Sequence, residues 1–181
     1  MNRRQRLRRA RLRLLCWFGP PGLAAGMWLV GLVLPARHVV EERTHFNVSA
    51  ETVWAVLTDL DGMPTWRRGL QALERLPDVE GQVRWIEVRS AGRSTTFQRV
   101  ESVSPRRLVV QSSEPSGRWV YDIRALDRGS ELTIREERDL NPIMRTVVGI
   151  FGDRARLAAL TADLARRLAG RREQLVAGAA D

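Results

Sequence analysis

Residues 44–69, THFNVSAETVWAVLTDLDGMPTWRRG, decide the fold. Thr44, Phe46 and Val48 alternate with polar residues, the period of a half-buried strand. Ser49 follows as an N-cap, with Glu51 and Thr52 in the first helical turn, where an acid complements the helix dipole. Val53, Val56, Leu57 and Leu60 recur at helical spacing, and Asp61-Gly62 breaks the helix before Pro64 and Trp66. A strand therefore runs straight into a short amphipathic helix that ends in a proline–tryptophan turn.

Outward from this stretch, the chain reads as short antiparallel strands over 38–48, 70–77, 82–90, 94–103, 107–113, 117–126 and 130–139. Pro77-Asp78, Ala91-Gly92, Ser104-Pro105, Pro115-Ser116-Gly117 and Asp127-Arg128-Gly129 supply the turns between them. The last element is helical, because Leu157, Leu160, Leu164 and Leu168 form one stripe opposite Arg156, Asp163, Arg166 and Arg167. It can begin at Pro142, with Asn141 as cap, and bend at Gly149 and Gly152. The expected class is α+β: a curved antiparallel sheet of about seven strands wrapped on a long C-terminal helix.

This order resembles the START-like (SRPBCC, polyketide cyclase/dehydrase and lipid-transport) superfamily, with its helix-grip fold. The resemblance covers residues 38–170. Beyond the opening it rests on Gly81 to Trp85 with Glu87, on Ser104-Pro105-Arg106-Arg107-Leu108-Val109, and on residues 132–145 with Glu136, Asn141-Pro142 and Arg145. At Arg138 the chain departs from the family, where glycine is common. The resemblance implies a hydrophobic ligand held between the sheet and the C-terminal helix. It extends to lipid binding and to cyclase or aromatase chemistry without choosing between them.

The 181 residues carry a net charge of +9, yet this is no nucleic-acid signature. Residues 1–13 hold seven arginines and no acid, so only +2 belongs to residues 14–181. Arg67-Arg68, Arg106-Arg107, Arg166-Arg167 and Arg171-Arg172 are scattered among acids rather than gathered in one stripe. Cys16 is the single cysteine, and His38 and His45, seven apart on a strand, face opposite ways. No metal site and no cofactor is expected.

Residues 14–34, LLCWFGPPGLAAGMWLVGLVL, are uncharged. As a helix they measure about 31 Å, close to the ~30 Å of a bilayer's hydrocarbon core. An uncleaved transmembrane anchor is preferred over a cleaved export signal or a buried helix of the domain. No good small-x-small cleavage site lies near Leu34-Pro35-Ala36, and seven arginines would be an odd entry to a core. The expected organisation is a basic cytoplasmic arm (1–13), an anchor (14–34), a helix-grip domain (38–170) and a flexible tail (171–181). The arginines hold the N-terminus in the cytoplasm, which places the domain on the outer side of a bacterial inner membrane.

Strand parity selects the inner face of the sheet. Taking the aromatic face inward gives Phe46, Trp85, Phe97, Trp119, Tyr121, Leu132 and Ile134 as a cavity lining, and the same parity brings Glu87, Arg99 and Glu136 inside. The aromatics suit an apolar ligand, and Arg99 with the two carboxylates suits either its polar head or a structural ion pair. The expected function is a membrane-tethered module that holds or transfers a hydrophobic small molecule or lipid. A cyclase/aromatase-type enzyme and a structural partner with a filled core are the alternatives.

Overall fold

A computed structural model of the protein describes residues 21–90, 92–113, 116–151 and 154–177, with backbone alone at 151 and 171–177. A helix over 21–33 (α1) precedes β1 (Arg37–Phe46), α2 (Ala50–Thr58), α3 (Met63–Trp66), β2 (Leu70–Val79), β3 (Gln82–Arg89), β4 (Arg93–Val103), β5 (Arg107–Ser112), β6 (Gly117–Ala125) and β7 (Ser130–Asp139). Two helices follow, α4 (Pro142–Phe151) and α5 (Ala155–Ala177). The seven strands form one sheet in the order β1-β7-β6-β5-β4-β3-β2. From β2 to β7 each strand pairs antiparallel with the next, so α2 and α3 carry the chain from one sheet edge to the other. Register shifts at Leu70/Ala72, Leu76/Val79 and Arg99/Glu101 bend β2 and β4, as bulges do.

The local rules of the opening stretch hold. Ser49 is extended, and its hydroxyl accepts from the Thr52 N–H at 3.3 Å. The Glu51 N–H and the Ser49 hydroxyl hold the Glu51 carboxyl below its ordinary range. Asn141 caps α4 through a 2.9 Å bond from the Met144 N–H. Gly129 turns β6 into β7 at φ +94, and a Cβ there would meet the Phe46 carbonyl oxygen at 2.0 Å, so the position admits glycine alone.

The described residues fall into two compact units, one built up to His38 and from 139–152, the other from 39–138 and from 153 on. In the second unit, α2 and α5 pack on the sheet. One buried cluster joins Val53, Val56 and Leu57 of α2 to Phe46, Ile123, Leu132 and Ile134 of the sheet and Leu157, Leu164 and Leu168 of α5. A second joins Leu60, Met63 and Leu70 to Trp85, Phe97, Leu108, Val110 and Trp119.

One expectation changes: the single bent helix from Pro142 is two helices, the second of which runs to Ala177. Of the expected span, residues 14–20 lie outside the described residues, as does the basic arm. Among the described residues no helix is long and apolar enough to cross a membrane.

Candidate functional site

The inner face of the sheet is set by register. Trp85 on β3 sits opposite Phe97 on β4, their rings stacked at 5.8 Å with 16° between planes. Phe97 in turn meets Trp119 edge-on at 5.4 Å and 61°. Gly117, at the start of β6, makes this possible: a Cβ there would lie 2.7 Å from the Trp119 ring. Pro115-Ser116-Gly117 is readable as a turn, but the ring-sized space at Gly117 is not.

Two carboxylates are fully enclosed, Glu87 at 2% and Glu136 at 1% exposure, and each touches two guanidinium groups. Glu87 receives Arg67 at 2.5 Å and Arg89 at 2.9 Å. Glu136 receives Arg156 at 2.5 Å and Arg138 at 3.0 Å. Each trio carries a formal charge of +1, so the inner face is electropositive despite its acids. Arg156 also lies over the Trp119 ring, 5.8 Å from its centroid, a cation–π contact. Burial pushes the Arg156 guanidinium below its ordinary value, and the Glu136 charge opposes the shift.

Tyr121 stands between the two trios. Burial pushes its hydroxyl up to about 12, with Arg67 acting against the shift and Glu87 adding to it. Trp85 brings a second polar group, since its indole N–H is buried without an acceptor among the described residues.

These residues surround a cavity of about 30 Å³, enough for one or two waters. Its walls are Trp85, Glu87, Phe97, Leu108, Val110, Trp119 and Tyr121 of the sheet, Leu57 of α2, Met63 and Trp66 of α3, Arg67 just beyond, and Leu160 of α5. The short helix α3 forms the roof. Arg67 fastens it to the sheet through Glu87, and Arg68 fastens it to α5, donating its backbone N–H to Asp163 at 2.9 Å and its Nε at 3.1 Å.

Of the ten residues expected in the site, Trp85, Glu87, Phe97, Trp119 and Tyr121 line this cavity. Phe46, Leu132 and Ile134 belong instead to the packed cluster beneath α2 and α5, and Glu136 is held behind Trp119 and Arg156. Arg99 is a correction: it pairs with neither carboxylate. Glu87 faces Thr95, four residues before Arg99 and about 13 Å along the strand. Arg99 shares a level with Glu136 through Val110 and Trp119, but three strand spacings, about 14 Å, separate them. Burial pushes Arg99 below its ordinary value, with Arg75 adding to the shift. Arg67, Arg89, Arg138 and Arg156 take the role assigned to it. Parity could not find Arg67 or Arg156, which lie outside the sheet. The signal was indirect: two inward carboxylates demand cations from somewhere. Among the described residues no cluster of three or more His, Cys, Asp or Glu is placed to hold a metal ion.

The same architecture recurs in solved structures. The norcoclaurine synthase of Thalictrum flavum, in complex with a transition-state analogue, superposes with a TM-score of 0.61 at 14% identity, covering 75% of this chain and 96% of that one. An aromatase/cyclase from a Streptomyces species gives a TM-score of 0.61 at 16% identity, covering 75% and 95%. A protein from Rhodobacter sphaeroides gives 0.55 at 21% identity, covering 73% and 93%. At these identities the likeness concerns the fold. A comparison with curated proteins finds no match. Residues 37–175 match the family described as polyketide cyclase / dehydrase and lipid transport, and with its seven-stranded sheet and C-terminal helix the chain belongs to that family.

Proposed function

We propose that the protein binds a hydrophobic small molecule beneath α3, between the sheet and α5. The observation that carries this reading is the single lining that joins Trp85, Phe97 and Trp119 to Tyr121, Glu87 and Arg67. Aromatic walls with a few convergent polar groups are the composition of small-molecule sites. The surplus of guanidinium over carboxylate favours a ligand whose polar head is anionic or rich in acceptors. A cavity of about 30 Å³ is too small for such a ligand, so on this reading entry requires α3 to lift with Trp66 and Arg67.

Titration of the purified full chain with 1-naphthol, palmitate and lysophosphatidylcholine tests this. At least one should shift tryptophan emission saturably and raise the melting temperature, and Trp119→Ala should weaken that binding. If no probe in a broader lipid and aromatic panel binds or stabilises, the cluster is a filled core and the protein a structural partner. A second reading, cyclase/aromatase-type chemistry, draws support from Tyr121 and Glu87 in the same lining. Turnover of a poly-β-ketone that Tyr121→Phe abolishes, with affinity retained, would select it.

We further propose that the module is tethered to a membrane, its domain outside the cytoplasm. The uncharged run over 14–34 behind seven arginines supports this.

A further inference from the structure

We infer that α4 is a second lipid-contacting element, which enters the outer leaflet beside α1, the described part of the anchor; the inference rests on the membrane-tethered reading above. In a helix packed on a soluble core, apolar residues face inward and polar ones outward. The α1/α4 unit is built the other way round. Among the ten residues of α4, PIMRTVVGIF, only Arg145 and Thr146 have polar side chains, and both turn inward. The Thr146 hydroxyl donates to the Met27 carbonyl at 2.7 Å. Arg145 donates through Nε to the Leu140 carbonyl at 2.7 Å, and through Nη1 to the Gly31 and Leu34 carbonyls at 3.3 and 3.4 Å. One carbonyl in the last turn of α1, where a helix leaves such groups without internal partners, and one just past its end are met by this one side chain.

Much of the apolar surface points outward. Leu29, Leu32 and Val33 of α1 are exposed, as are Ile143, Met144 and Ile150 of α4, with Val33 at 88% and Ile150 at 66%. Between the helices, Gly31 is buried against the backbone of Pro142, where a Cβ would fall 1.7 Å from the Pro142 carbonyl oxygen. Small-residue contact, internally satisfied polar groups and an apolar exterior are what hydrocarbon requires of helices. The occupant of this surface is lipid rather than protein because it continues the uncharged run of 14–34, and the seven arginines before that run complement anionic headgroups. Depth agrees. Met27, which Thr146 contacts, lies seven residues or about 10 Å of helix from Leu34, within one leaflet of a ~30 Å core.

The test is site-specific fluorescence on the full chain. In a Cys16→Ser background, Leu29→Cys, Ile150→Cys and Arg124→Cys are each labelled with an environment-sensitive fluorophore. Each is then reconstituted into phosphatidylcholine/phosphatidylglycerol vesicles with or without brominated acyl chains. The probes at 29 and 150 should emit to the blue, lose intensity to bromolipid and resist iodide, while the probe at 124 does the reverse. A buried probe at 29 with an aqueous one at 150 overturns the inference and leaves the tether standing. Aqueous probes at both positions remove the tether and this inference together. A probe at 150 that resists iodide yet ignores bromolipid means protein, such as a second copy of the chain, covers α4, and also overturns it.

Discussion

Glu87 has only 2% of its surface exposed, so its charge depends on the guanidinium groups of Arg67 and Arg89. Arg67→Ala removes one of them and should destabilise the protein by about 3 kcal/mol, the lower end for a broken buried pair, because Arg89 remains. Urea denaturation reads the loss. Tyr121 offers a cleaner probe of the same enclosure, since it is the single tyrosine in a chain without lysine. Its folded hydroxyl titrates at about 12 against ~10 when unfolded, so the unfolded state releases its proton first. The stability this confers is intact below pH ~10 and disappears as pH rises from about 10 to about 12. The loss reaches at most ~2–3 kcal/mol, because each tenfold difference in proton affinity between the folded and unfolded states is worth about 1.4 kcal/mol. A tyrosinate absorbance titration of the native protein with a midpoint near that of free tyrosine would contradict the enclosure. At this scale the sequence was half legible. Alternation along β3, β4 and β6 brings Trp85, Glu87, Phe97, Trp119 and Tyr121 to one face, but alternation has no reach beyond a strand. Arg67 and Arg156 enter from a loop and a helix, and distance along and across the sheet removes Arg99.

The elements were more legible, because turn chemistry is local. Glycine or proline lies within two residues of the start of every strand from β1 to β7, and Ser49 and Asn141 announce the helices they cap. What failed was continuity: Pro142 to Ala177 carries helical periodicity almost throughout, and where such a run divides depends on what each part packs against. Gly129→Ala tests the β6–β7 turn. Holding an alanine at that positive φ costs about 1–3 kcal/mol before any clash with the Phe46 carbonyl, so its midpoint in urea should fall clearly. Asp163 tests the roof. Asp163→Ala removes the acceptor of the Arg68 N–H, and amides of residues 67–70 should exchange faster with deuterium while those of β5 and β6 keep their protection. Equal acceleration everywhere would mean that Asp163 supports the whole domain rather than α3.

At the scale of the whole molecule, charge is partitioned. A +7 arm precedes an uncharged run, and the remaining +2 is spread over a domain whose inner face nevertheless holds two positively charged trios. Overall composition shows the first and hides the second. The arm makes topology testable: alkaline phosphatase fused after Asp181 should be active in a bacterial host, and an inactive fusion would put the domain in the cytoplasm. The α3 roof has a further consequence for the ligand proposed beneath it. If a ligand binds there as proposed, it leaves only when Arg67 parts from Glu87 and Arg68 from Asp163, and its dwell time is then written into the protein. Chemically different guests would then depart at similar rates, and each ~1.4 kcal/mol removed from the latch would shorten their stay tenfold when opening limits escape. On that reading release follows the protein's own clock, set by whatever loosens α3.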